Sequence, residues 1–267
     1  MTGSADAFEA AKADGRAALV GYLPAGFPDV ARSIALLRSM VRGGCDVIEV
    51  GLPYSDPVMD GPTIQAAADQ ALRAGTRIGD VIAVVEAVAE LVPTLVMTYW
   101  NPVERYGVKR FAADLAAAGG SGLITPDLIP EEAAEWVAAA DDLDLDKVFL
   151  VAPSSTASRL ELTTAACRGF VYATAVMGVT GAREQTSSVT PELVRRTRGV
   201  TDIPIGVGLG VSNGEQAAEV ASYADGVIVG SAFVRAVVRS DARGEGAEND
   251  AVEALAAELS RGVRGEL

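Results

Sequence analysis

The sequence contains no histidine, and only three lysines (Lys12, Lys109, Lys147) and two cysteines (Cys45, Cys167) in 267 residues. Each shortage removes some chemistry. Without histidine there is no Ser-His-Asp or Cys-His nucleophile and no His-ligated metal. Two cysteines make neither a disulfide framework nor the spacing of a metal site. Lysine and arginine number 22 against 36 acidic residues, a formal net charge of −14, which disfavours nucleic acid and anionic membrane surfaces as partners. No apolar run reaches the length of a membrane span, and residues 1–12 carry no apolar signal region, so a soluble cytoplasmic protein is expected.

What is present is a repeating pattern. Apolar residues make up 49% of the chain, enough for a large core. Eight short β-like runs recur, at residues 17–23, 46–51, 94–99, 122–125, 147–152, 170–175, 203–208 and 225–230. Helical patterns lie between them. Val30, Ile34, Leu37 and Val41 recur with the period of one helix face. Pro130-Glu131-Glu132 reads as a helix start, and Thr190-Pro191-Glu192 as a capping residue before a proline at the first helical position. Alternation without a linker predicts one α/β domain over residues 1–267. Eight repeats favour a closed (β/α)8 barrel, with an open parallel sheet as the alternative. Two helical patterns, 62–74 and 79–91, separate the second and third runs, one more than a βα unit needs. An added helix after strand 2 is therefore expected, as is an extra N-terminal helix. The polar stretch 240–250 reads as a mobile surface loop before a last helix at 251–260.

In such a barrel the chemistry belongs at the C-terminal ends of the strands. Glu49 lies near the end of the second run, inside the apolar stretch Val47-Ile48-Glu49-Val50. A carboxylate there is costly to keep ionised, and the raised pKa suits acid/base work near neutrality. The bland alternative, a structural pair with a buried arginine, finds no arginine at a strand end. Asp60, before Gly61-Pro62, is equally well a turn former or a functional group, whereas Asp56 before Pro57 reads as turn chemistry. Asp127 after the fourth run is a helix cap or a hydrogen-bonding support, and Tyr172 on the sixth is core or site. Glycines cluster in three loops: Gly178-Val179-Thr180-Gly181, Gly206-Val207-Gly208-Leu209-Gly210, and Gly230-Ser231, which opens a helix at 232–238. Together they suggest a phosphate cradle of backbone amides. No lysine stands at a strand C-terminus, which argues against a Schiff-base aldolase, as the lack of histidine does against a His-zinc one. A carboxylate pair and a phosphate cradle remain. They fit proton transfer on a small phosphorylated substrate that supplies its own electron sink.

At this point the segments resemble a known family. Over about residues 15–240 the chain resembles the tryptophan synthase α subunit, through Gly21-Tyr22-Leu23-Pro24-Ala25-Gly26-Phe27-Pro28, Pro53-Tyr54-Ser55-Asp56-Pro57, Asp60-Gly61-Pro62-Thr63-Ile64-Gln65, Met97-Thr98-Tyr99-Trp100-Asn101-Pro102-Val103, Pro126-Asp127-Leu128, Val151-Ala152-Pro153-Ser154-Ser155-Thr156, Gly178-Val179-Thr180-Gly181 and Gly208-Leu209-Gly210-Val211-Ser212. The resemblance implies a TIM barrel that cleaves indole-3-glycerol phosphate to indole and glyceraldehyde 3-phosphate. It implies no cofactor or metal in this chain, with pyridoxal phosphate held by a separate β subunit in an α2β2 assembly. Carried over by position, Glu49 is the acid/base and Asp60 binds the indole N–H. Tyr22, Tyr172 and Leu209 line the indole pocket, and Thr180 sits on a mobile loop that closes near Asp60. Gly181, Gly210, Gly230 and Ser231 hold the phosphate, and Pro53 to Pro57 is a contact with the β subunit. The chain departs from the family at Phe27 (often Asp), Ala175 (often Ser) and Leu209 (often Phe), which bears on rate and affinity more than on reaction type. The competing readings are a free-standing lyase, a non-catalytic partner of a β subunit, and a metal-dependent sugar-phosphate epimerase.

Overall fold

The computed structural model describes residues 3–174, 189–240 and 246–267. The chain opens with α1 (Ser4–Ala13), β1 (Ala18–Pro24), α2 (Val30–Arg42) and β2 (Val47–Gly51). Two helices, α3 (Pro62–Arg73) and α4 (Ile78–Ala89), precede β3 (Thr94–Met97). Then come α5 (Trp100–Tyr106), α6 (Val108–Ala117), β4 (Gly122–Ile124), a 3-10 turn at Pro130–Glu132 and α7 (Ala134–Asp142). The second half holds β5 (Asp146–Val148), β6 (Leu150–Val151), α8 (Ala157–Ala166), β7 (Val171–Thr174) and α9 (Val189–Arg198). It ends with β8 (Ile205–Gly208), α10 (Gly214–Ala221), β9 (Gly226–Val229), α11 (Ser231–Ser240) and α12 (Ala247–Arg264).

Every named strand pairing is parallel, in the order β5-β4-β3-β2-β1-β9-β8-β7-β6. The ninth strand arises because the fifth run divides at Phe149, its first half pairing with β4 and its second with β7. Val148 O accepts the Thr125 N–H at 3.4 Å, and Phe149 O accepts the Tyr172 N–H at 3.2 Å. One stretch of chain thus bonds to both neighbours and the ring closes through it. The molecule is the (β/α)8 barrel expected from the eight runs, with the N-terminal helix and the extra helix after β2 in place.

Period two divides the strand residues between two cores. Leu19, Val50, Val96, Leu123, Val171 and Val207 pack outward against the helices. Ala18, Val20, Val47, Leu95, Ile124, Val148 and Ile228 fill the barrel interior. The N-terminal end of that interior is plugged by α1. Phe8 is buried and stacks on Phe170 with centroids 5.0 Å apart, while Ser4 donates its N–H and hydroxyl to Asp146 at 2.8 and 2.6 Å. With the bottom corked, the open end lies at the strand C-termini.

Three boundaries differ from the sequence reading. The last helix begins at Ala247, not near residue 251, because its polar first turn finds partners: Glu248 is buried and pairs with Arg32 at 3.0 Å. Polarity there marks an ion pair between helices; residues 241–245 of the expected loop lie outside the described residues. Thr190 lies within α9, which is described from Val189, so it is not the cap. The third run stops at Met97, and Tyr99 instead stands at the N-cap position of α5, without a side-chain capping bond. Both cysteines are buried and free, and no helix among the described residues is long and apolar enough to cross a membrane.

Candidate active site

Alternation along β2 decides where Glu49 points. Val47 belongs to the interior cluster, so Glu49, two residues on, also faces inward, one layer nearer the open end. It is 0% exposed, and neither carboxylate oxygen has a hydrogen-bond partner among the described residues. Among the described residues, the structural ion pair weighed against a functional role is therefore not present. Burial without compensation pushes its pKa up to about 8, so the carboxyl holds its proton at neutrality.

Asp60 reaches the same cavity from the loop between β2 and α3. Its backbone is tied down on both sides: the N–H donates to the Tyr99 hydroxyl at 3.2 Å, and the carbonyl accepts from Gln65 Nε2 at 2.8 Å. Burial pushes its pKa up to about 6, while a hydrogen bond from Tyr99 pulls the other way. The two carboxyls thus sit on opposite sides of neutrality, one protonated and one ionised.

Tyr22 on β1 and Tyr172 on β7 line the cavity on either side. Both need a glycine opposite. A Cβ at Gly51 would collide with the Tyr22 hydroxyl, and one at Gly208 with that of Tyr172. The same arrangement recurs because each tyrosine pairs in register with the residue two before its glycine: Tyr22 with Glu49, Tyr172 with Gly206. Burial and then the nearby carboxylates raise both phenols well above their ordinary range, so both stay protonated.

The remaining wall comes from the ends of β8 and β9. Leu209, Gly210, Gly230 and Ser231 all line the cavity. Gly210 adopts φ +77°, a conformation that favours glycine, and lets the chain turn closely past the opening. Ser231 is the first residue of α11, whose opening turn leaves N–H groups without intrahelical acceptors and carries the positive end of the helix dipole. The structure therefore gathers Tyr22, Glu49, Asp60, Tyr172, Leu209, Gly210, Gly230 and Ser231 around one opening. Thr180, Gly181 and the departure at Ala175 lie outside the described residues.

Other expectations resolve simply. Asp127 Oδ1 accepts the N–H of Trp100, the first residue of α5, at 2.9 Å, so it is a hydrogen-bonding support. Asp56 is exposed in its turn. Phe27 is buried at 3% exposure and packs with the outer core. Among the described residues no group of three or more His, Cys, Asp or Glu side chains is arranged to hold a metal ion. Sequence reasoning passed over Met59, Met97 and Leu150, which also line the cavity, and Tyr99, which holds the Asp60 loop. Met97 and Leu150 were within reach: they sit two residues beyond Leu95 and Val148 on the inward face.

A family model described as tryptophan synthase alpha chain matches residues 8–264. The tryptophan synthase alpha chain of Thermobifida fusca is 64% identical over 258 residues, covering 95% of each chain. That of Nocardia farcinica is 63% identical over 261 residues, covering 97% of this chain and 95% of the relative. A solved structure of Mycobacterium tuberculosis tryptophan synthase superposes with a TM-score of 0.91 at 56% identity, covering 98% of both chains. The alpha chain from Legionella pneumophila, at only 29% identity, still gives 0.88 over 98% of each chain. Matched in sequence and fold along nearly its whole length, the chain belongs to the tryptophan synthase alpha chain family.

Proposed function

We propose that Glu49 and Asp60 are the groups with which this lyase performs the α half-reaction of tryptophan synthase, the cleavage of indole-3-glycerol phosphate to indole and glyceraldehyde 3-phosphate. The observation that carries the assignment is Glu49, fully buried and without a partner among the described residues, in one cavity with Asp60 and the first turn of α11. The protonated Glu49 delivers its proton to indole C3, and the ring becomes an indoleninium cation. That cation is the electron sink. The Glu49 carboxylate then takes the proton of the glycerol hydroxyl next to the scissile bond. The C–C bond breaks, its electron pair returns to C3, and the hydroxyl carbon becomes the aldehyde. One proton leaves Glu49 and one comes back, so no base, metal or cofactor is consumed. Ionised Asp60 accepts the indole N–H and steadies the positive charge.

Binding divides along the same wall. Tyr22, Tyr172 and Leu209 enclose the indole. Gly210, Gly230 and Ser231, with Gly181, hold the phosphate at the N-terminus of α11, where backbone N–H groups and the helix dipole serve an anion without a cationic side chain. The chain works as a single domain in the cytoplasm without a cofactor of its own. It assembles with a pyridoxal-phosphate β subunit as α2β2 through the turn Pro53 to Pro57, beside which Val58 is 70% exposed.

Two groups titrating on either side of neutrality give a bell-shaped profile. The kcat/KM for indole release, measured with β subunit present, rises with Asp60 ionisation near pH 6 and falls as Glu49 loses its proton near pH 8. A profile flat from pH 5 to 9, or no indole formed with or without the β subunit, contradicts the assignment.

A further inference from the structure

The hydroxyl of Tyr99 has more partners than a core tyrosine needs. It lies just past β3, buried at 5% exposure beside the cavity rim, and accepts two successive backbone N–H groups, from Met59 at 3.0 Å and Asp60 at 3.2 Å. An oxygen that accepts twice still has its own proton to give, and Asp60, whose N–H it accepts, has a carboxylate close enough for its charge to bear on the phenol. The ring is held as well. It packs against Tyr54 with centroids 5.4 Å apart, and the Tyr54 hydroxyl accepts from Asn101 Nδ2 at 3.2 Å, within the helix whose N-cap position Tyr99 holds. Trp100 N–H, next in the chain, is tied to Asp127. Tyr99 is thus anchored from two directions, while the Asp60 loop hangs from its hydroxyl.

We propose that Tyr99 is the positioning residue for Asp60: one phenolic oxygen fixes the loop backbone and directs its proton to the Asp60 carboxylate, holding it in place and ionised. The inference rests on the reading that Asp60 meets the substrate as an anion. The loop between β2 and α3 has no regular structure of its own from Leu52 to Gly61, so hydrogen bonds such as these to Tyr99, with that of Gln65 to the Asp60 carbonyl, fix where Asp60 lies. Burial favours protonation of Asp60. Glu49 from β2, Tyr22 from β1 and Tyr172 from β7 share its cavity, and Asp127, from the turn after β4, bears on Tyr99. Tyr99 offsets that bias with a hydrogen bond to the ionised form.

Tyr99→Phe keeps the ring and removes the hydroxyl. The test is the pH profile of kcat/KM for indole release from indole-3-glycerol phosphate, with β subunit present, for the parent, Tyr99→Phe and Asp60→Asn. Tyr99→Phe is expected to move the acidic limb up by about one unit, so the loss is about tenfold near pH 6 and smaller near pH 8. Asp60→Asn removes that limb. A Tyr99→Phe profile lowered equally at every pH, with its limb in place, overturns the proposal even when Asp60→Asn behaves as expected. A persisting limb in Asp60→Asn instead defeats the reading beneath it. Should the Phe variant not fold, Tyr99→Met is read the same way.

Discussion

Glu49→Gln is expected to lower kcat for indole release by at least about 10³-fold while the protein folds normally. General acid/base catalysis by one positioned group is worth roughly 10²–10⁴-fold. The upper part of that range applies because one carboxyl both gives the proton to C3 and takes the proton from the hydroxyl. Glutamine matches the protonated carboxyl in size and charge, so the fold has no reason to suffer. Stability should move the other way. The pKa of Glu49 rises from 4.5 to about 8 on folding, so below about pH 4.5 both states are protonated and there is no penalty. As pH rises from there to about 8, the unfolded chain ionises and the native one resists, and the native state loses up to roughly 5 kcal/mol, at about 1.4 kcal/mol per unit. The amide does not titrate. The stability of Glu49→Gln relative to the parent, from urea midpoints, should therefore grow across that window. Constant relative stability from pH 4.5 to 8.5 would mean that Glu49 is solvated or paired.

Asp60→Asn is expected to cost about 10²–10³-fold, mainly in kcat, the scale found when one charge-stabilising group is taken from a preorganised site. Asparagine can still accept the indole N–H. It cannot oppose the positive charge that appears on the ring after C3 is protonated, so the loss belongs to the transition state more than to binding. Steady-state kcat and KM for the purified variant with β subunit separate the two. A raised KM with unchanged kcat would make Asp60 a binding group only.

The barrel was readable because its signal is local and repeated. Eight apolar runs between helical patterns need no long-range information, and Glu49 stood out because a carboxylate interrupts one of those runs. Other features were invisible for a physical reason. Ser240 to Asp250 is polar, and polarity alone reads as loop, yet Glu248 is buried against Arg32, 216 residues away in the chain. The split at Phe149 depends on two neighbouring strands competing for one stretch of backbone. Asp60 could not be separated from a turn former, because its environment is made by Tyr99, 39 residues further on. Tyr99 itself lay within a quoted motif, but nothing local distinguishes a tyrosine that stacks from one that holds a loop. What the fold adds is the difference in burial of the two carboxyls: on β2 it pushes the Glu49 pKa up to about 8, and at the rim it pushes that of Asp60 only to about 6.

That difference in pKa is what the proposed mechanism depends on, and it can be observed without turnover. Carbonyl-13C NMR of glutamate-labelled protein, with Glu49→Gln to identify the signal, follows the Glu49 carboxyl through a pH titration. A midpoint near 8 is predicted. A midpoint at the ordinary glutamate value, near 4.5, would contradict the account, because the residue would then have no proton to deliver at neutral pH.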